Sequence, residues 1–325
     1  MLARHIRSFG ARTCGYIVSS KRIQQNTCRN NFTSVQVDVP WGKIDGKLWG
    51  SGNKQPILAV HGWMDNAGSF DHIAPLIENH PILAIDLPGH GKSSWLPRGI
   101  PYDDKIYMIA LRTIIKKFGW SKVKLLGHSM GGVMCFNYSR LFPEEVQFVV
   151  ALDILAFLSM SQAQQTRLLA YGIDKLMEFE KKMTSKPPTY TENEIIVNWI
   201  KKSQFQSLDE PAVRSLMKRG CEKTEEGQLF YTRDFRLSIP GFGPTYSREN
   251  CMEMAKSITS PYMVVRAADG PFTKDTYWTI IGDVLKKSSQ DFQYVKVEGT
   301  HHFHMTNAKE VAAAINPFLD KHNIS

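Results

Sequence analysis

A serine stands among small residues in Gly127-His128-Ser129-Met130-Gly131-Gly132, behind the apolar run Val123 to Leu126 and ahead of Val133-Met134-Cys135-Phe136. A strand, a small-x-Ser-x-small turn and a helix in this order force a sharp bend, which strains the serine backbone and demands small neighbours two positions away. The bend lifts the Ser129 hydroxyl clear of the sheet edge and aims the backbone N–H of Met130 at the place where an oxyanion would form. A free hydroxyl is a weak nucleophile, so this chemistry needs a base and an acid that orients the base. The base is sought in Val297-Glu298-Gly299-Thr300-His301-His302-Phe303-His304, directly after the last apolar strand. His301, two residues after Gly299, is the first choice; His302 and His304 are its competitors, and His304 could instead orient the loop. Two aspartates keep the chain order serine, acid, histidine. Asp269, in Ala267-Ala268-Asp269-Gly270 after the strand Tyr262 to Arg266, is preferred, and Asp153, which ends Val146 to Leu152, is the alternative. A second oxyanion donor is expected from His61-Gly62-Trp63, where the N–H of Trp63 would pair with that of Met130. His61 itself reads as a structural ring bonding loop backbone.

These residues sit at the ends of elements that the apolar pattern delimits. Val35, Val37 and Val39 alternate with polar residues, and Lys43 to Trp49 follows Pro40-Trp41-Gly42, which predicts an antiparallel hairpin. Continuous apolar strands follow at Ile57 to Val60 and Ile82 to Ile85, separated by the helical segments Phe70 to Ile77 and Ile106 to Phe118. Such strands imply a mostly parallel, doubly wound sheet covered on both faces, with ligand groups at the carboxyl ends of the strands. From Leu155 to about Ser257 the periodicity is helical, with Leu168-Leu169, Ile173, Leu176-Met177 and Phe179, then Ile195-Ile196 and Trp199-Ile200, and a Pro-Pro break at 187 to 188. The sheet resumes at Tyr262 to Val265 and Phe292 to Val297, so the predicted domains are a core of 36–153 with 258–325 and a helical cap of 154–257. Asp86-Leu87-Pro88-Gly89-His90-Gly91-Lys92-Ser93 lacks phosphate-loop spacing and reads as a structural turn.

With 325 residues and 42% apolar content the chain can bury one large core. No apolar run approaches the ~18 residues of a membrane span. The net charge of +9 is concentrated in Arg4, Arg7, Arg12, Lys21, Arg22 and Arg29, and without those six the chain carries only +3, which argues against nucleic acid as a partner. Residues 1–35 are rich in Arg, Ser and Thr and lack acids, the composition of a mitochondrial presequence, and predict delivery to the matrix rather than a cytoplasmic location. The five cysteines show no Cys-x-x-Cys spacing, so neither a disulfide framework nor a zinc site is expected, and Cys135 reads as a buried structural thiol.

Val39-Pro40-Trp41-Gly42, His61-Gly62-Trp63-Met64-Asp65-Asn66, Asp86 to Ser94 and Gly127 to Gly132 together resemble the serine-hydrolase-like, or kraken-type, branch of the α/β-hydrolase fold, from about residue 36 to the end. The resemblance implies Ser129 as nucleophile and hydrolysis of an ester-like bond with no metal or organic cofactor. The acid at the Asp269 position is not uniform in that branch, which keeps Asp153 in contention. A serine at the turn also argues against haloalkane dehalogenase and epoxide hydrolase chemistry, which use aspartate there. The expected activity is therefore a serine hydrolase acting on a carboxylic ester, thioester or lactone with an apolar part, walled by cap residues such as Phe157, Leu158, Phe179, Trp199 and Phe205. A catalytically weak binding or scaffold protein, and an acyltransferase using the same residues, are the alternatives.

Overall fold

The computed structural model describes residues 32–50, 54–182, 186–243, 246–271 and 276–323. The predicted leader lies outside the described residues up to position 31, while Phe32 to Val35, placed at its end by composition, already form a strand. That strand, β1 (Phe32–Val39), pairs antiparallel with β2 (Gly42–Trp49), and β3 (Ile57–Val60) and β4 (Ile82–Ile85) follow. Then come α1 (Asp104–Lys117), β5 (Val123–His128), α2 (Met130–Leu141) and β6 (Val146–Leu152). The insertion holds α3 (Gln162–Lys182), α4 (Glu192–Lys202), α5 (Glu210–Gly220), the hairpin β7 (Cys221–Lys223) and β8 (Leu229–Tyr231), and α6 (Arg248–Lys256). The chain closes with β9 (Tyr262–Ala267), α7 (Thr276–Ser288), β10 (Phe292–Val297), α8 (Phe303–Thr306) and α9 (Ala308–Lys321).

Eight strands form one sheet in the order β1-β2-β4-β3-β5-β6-β9-β10. β2 runs antiparallel to both β1 and β4, and the pairs from β4 to β10 are parallel. β3 to β6 bury nearly every side chain because helices cover both faces, which is why these segments show runs rather than alternation. Leu58, Val60, Leu125 and Val149 join Ile114, Phe136 and Ile281 in one core layer. Ile57, Ala59, Leu126 and Val150 join Phe70, Ile315 and Phe318 in the other.

The segment predicted as helix from Phe70 to Ile77 is instead two 3-10 turns, Ala67–Phe70 and Ala74–Leu76. Pro75 supplies no N–H for a continuous helix there, and the first turn is capped by the Asn66 side chain and tied to Asp86 through the Ala67 N–H.

The insertion interrupts the chain without interrupting the sheet, since β6 and β9 pair directly with Leu152 opposite Val265. Its helices α4 and α5 bury a third cluster, including Ile195, Trp199, Val213 and Leu216, to which Met305 of the core contributes. The helical periodicity gave no sign of the β7–β8 hairpin, whose strands are three residues each. Ile154 to Phe157 at the start of the segment 154–257, and Cys251 and Ala255 of α6 at its end, are buried in the first core layer, so both ends of that segment pack with the core. Among the described residues no helix is long and apolar enough to cross a membrane.

Candidate active site

β5 delivers Ser129 to the carboxyl edge of the sheet, where its backbone adopts φ 50 and ψ −121, a left-handed conformation that no ordinary helix entry requires. Strain of this kind costs roughly 1–3 kcal/mol and persists only where the surroundings enforce it. Close packing provides the enforcement. A Cβ on Gly131 would lie 2.0 Å from the Val60 carbonyl oxygen, and one on Gly127 would lie 2.5 Å from Gly131, so only glycines let α2 start directly against β3 and β5. The Ser129 N–H is fixed to the Leu152 carbonyl at 3.1 Å.

His301 Nε2 lies 2.9 Å from Ser129 Oγ, and His301 Nδ1 lies 2.7 Å from Asp153 Oδ2. The carboxylate can only accept, so Nδ1 carries the proton and Nε2 offers its lone pair to the serine O–H. The His301 and Asp153 side chains are fully buried. Burial pushes the His301 imidazole below its ordinary value, and the Asp153 hydrogen bond opposes that shift. The Phe205 ring meets the His301 ring edge-on, with centroids 5.1 Å apart.

Asp269, preferred from sequence as the acid, is not the carboxylate on His301. His128 pairs with Leu152 in the β5–β6 register, so the residues that follow, Ser129 and Asp153, leave adjacent strands side by side. Asp153 then turns at φ 49 and is held by its own N–H to Val265 O and by the Ala267 N–H to its Oδ1. Asp269 lies two residues beyond β9 with an exposed side chain, and its backbone N–H binds Gly299 O at 3.0 Å. It therefore braces the histidine loop through the main chain. Gly270 makes room for the carboxylate, since a Cβ there would lie 2.7 Å from both Asp153 oxygens.

The other histidines are engaged elsewhere. His302 Nδ1 is 2.6 Å from Ser207 Oγ and its Nε2 is 3.4 Å from Asp65 Oδ2, while His304 Nε2 is 2.7 Å from Ser69 Oγ. His61 accepts the Leu87 N–H at Nε2, which leaves Nδ1–H to donate to Gly62 O. His90 does the same for the facing loop, accepting the Met64 N–H and donating to Pro88 O. Burial holds His61 below its ordinary pKa and His90 and His304 well below it. His90 thus serves the structural turn that Asp86 to Ser93 predicts, whereas Asp65, His128 and Ser207 have no role that the sequence predicts. Asp65 and His128 lie inside motifs marked by their neighbours Trp63 and Ser129, and Ser207 lies in no motif.

Met130 opens α2, so its N–H is among the first-turn donors that have no acceptor within the helix. Gly131 packs against the carbonyls of Val60 and His61, which brings the Trp63 loop to the same helix start. The Trp63 indole is exposed on one side and donates to Leu237 O at 2.9 Å. Phe157 and Trp199, expected to wall a pocket, are instead buried against Phe136 and Tyr231 respectively. Cys135 is buried, and burial pushes its thiol well up, as suits a structural thiol.

The Asp86 turn is an organising centre. Asp86 accepts the N–H groups of Ala67 and Lys92 and is bound by the Arg219 guanidinium, whose Nη2 also reaches Asp45 Oδ1 at 2.5 Å.

Residues 55–308 match the α/β hydrolase fold family. A probable serine hydrolase of Drosophila melanogaster is 37% identical over 298 residues, covering 89% of this chain and 88% of that protein. A serine hydrolase-like protein of Danio rerio is 30% identical over 305 residues, covering 93% of each. The crystal structure of a hypothetical protein from Pseudomonas aeruginosa PAO1 aligns with a TM-score of 0.79 and 23% identity, over 88% of this chain and 99% of that one, a likeness of fold. The chain belongs to the α/β-hydrolase fold family, in its serine hydrolase-like branch.

Proposed function

We propose that the chain is a serine hydrolase that cleaves a carboxylic ester, thioester or lactone through an acyl-enzyme on Ser129. The observation that carries this reading is the unbroken relay from Ser129 Oγ to His301 Nε2 (2.9 Å) and from His301 Nδ1 to Asp153 Oδ2 (2.7 Å). Oγ attacks the carbonyl carbon while its proton passes to Nε2, and Asp153 stabilises the imidazolium that forms. The tetrahedral oxyanion accepts from the backbone N–H groups of Met130 and Trp63, each worth about 3 kcal/mol of barrier. Collapse expels the alcohol or thiol, which takes the proton from Nε2. Water then repeats the sequence on the acyl-enzyme and releases the acid.

Fluorophosphonate labelling of the full chain, followed by a p-nitrophenyl ester chain-length series, tests the reading. Labelling and turnover that both vanish in Ser129→Ala are expected. Parent protein that is folded yet unlabelled would overturn it in favour of a binding protein on this fold. Product analysis with competing alcohols and thiols separates hydrolysis from acyl transfer.

Matrix delivery is a second proposal, supported by the acid-free basic composition up to residue 37. A cellular protein that still begins at Met1, or a fluorescent fusion that stays cytosolic, would overturn it.

A further inference from the structure

We propose that Asp65, His128 and His302 form a binding site for a zinc-class divalent transition-metal ion, one residue along the chain from both Ser129 and His301. All three side chains are buried, and one ligand atom from each lies within 4.8 Å of the others. His128 Nδ1 is 3.6 Å and His302 Nε2 is 3.4 Å from Asp65 Oδ2. Two donors bound at ~2.0–2.2 Å to a tetrahedral ion stand at about this separation.

The hydrogen bonds around His128 fix which ring nitrogen is free to bind an ion. Its Nε2 lies 2.9 Å from the carbonyl oxygen of His301, a pure acceptor, so Nε2 carries the ring proton. Nδ1 of the neutral ring is then a bare lone pair aimed at a carboxylate, and it is buried with no hydrogen-bond partner. Two acceptors facing each other in the interior are unfavourable unless a cation lies between them.

The surroundings match those of metal-bound imidazoles, whose second nitrogen usually donates to a carbonyl or another polar group. His128 uses the His301 carbonyl and His302 uses Ser207 Oγ at 2.6 Å. Gly62 keeps the gap open, since a Cβ at that position would lie 2.9 Å from His128 Nδ1 and 3.1 Å from Asp65 Oδ2. Asp65 comes from the loop after β3, His128 from the end of β5 and His302 from the loop after β10, so an ion would clamp three segments together. Ligands this far apart in sequence leave no spacing motif, which is why the sequence predicts no metal.

Cobalt titration of the full-length protein after chelator dialysis tests the site without reference to activity. The parent is expected to bind a single equivalent, develop a tetrahedral cobalt band without thiolate charge-transfer absorption, and melt several degrees higher with zinc. Asp65→Asn and, independently, Gly62→Ala should each weaken binding by at least about tenfold, with circular dichroism showing the fold intact. A parent that takes up no cobalt would overturn the proposal and leave a proton alone between His128 and Asp65. Binding that survives both substitutions would also overturn it, by placing the ion at other histidines or at cysteines.

Discussion

At the scale of single residues, Asp153 and Asp269 carry the sharpest contrast. Asp153 is buried, accepts from the Ala267 N–H and faces His301 Nδ1, whereas the Asp269 side chain is exposed. Asp153→Asn is expected to lower kcat by about 10³–10⁴-fold, because an amide N–H facing Nδ1 favours the wrong tautomer. Asp269→Asn leaves its backbone bond to Gly299 in place and should change kcat less than about twofold, within the small effects usual for surface substitutions. Esterase assays on the two variants decide it, and equal losses would return Asp269 to the site. The histidine gives a pH prediction. His301 accepts a proton only when neutral, and burial lowers its pKa, so activity should rise with pH and reach half its plateau below the ordinary imidazole value of about 6.5. A pH–kcat/KM profile in the presence of chelator measures that limb. A limb displaced above the ordinary value would mean that Asp153 outweighs burial.

At the scale of elements, the turn between β5 and α2 depends on what is absent from its glycines. Gly131→Ala would drive a methyl into the Val60 carbonyl, 2.0 Å away, and neither the strand nor the helix start can yield cheaply. Overpacking of this kind costs about 1–3 kcal/mol or more, and here it also separates the Trp63 loop from Met130. Urea unfolding should show the loss of stability, and kcat should fall even under conditions where the variant is fully folded. The same physics explains an element that the pattern did not predict correctly. Phe70 to Ile77 has the apolar content of a helix, but Pro75 and the side-chain bonds from Asn66 and Asp86 leave short turns at Ala67–Phe70 and Ala74–Leu76.

At the scale of the whole molecule, the insertion is fastened to the core by buried charge. Arg219 bridges Asp45 and Asp86, with all three side chains at 5% exposure or less. Arg236 is held by Asp234 and by the carbonyls of Leu96 and Pro97. Removing one partner of such a pair leaves uncompensated buried charge, so Arg219→Met should cost about 3–5 kcal/mol. A fall in the urea midpoint with little change in slope would register that cost. A loss below about 1 kcal/mol would mean that water already reaches Asp86. The two anchors join the residue 219–236 end of the insertion to β2 through Asp45, to the turn after β4 through Asp86, and to the loop that follows it through Leu96 and Pro97.

The sequence by itself determined what local pattern and covalent order control. Small residues around Ser129, continuous apolar strands such as Ile57 to Val60, and a histidine loop after Phe292 to Val297 fix the fold class and bring a serine and a histidine to the same edge of the sheet. The choice between two aspartates depended on the register of β5 against β6 and on which side chain is buried, and a strand pairing contributes nothing to local composition. The same holds for His128, legible in sequence only as a residue beside the serine. Its bond to the His301 carbonyl and its unpaired nitrogen facing Asp65 exist because the ends of β3, β5 and β10 meet, and only the tertiary structure decides that meeting.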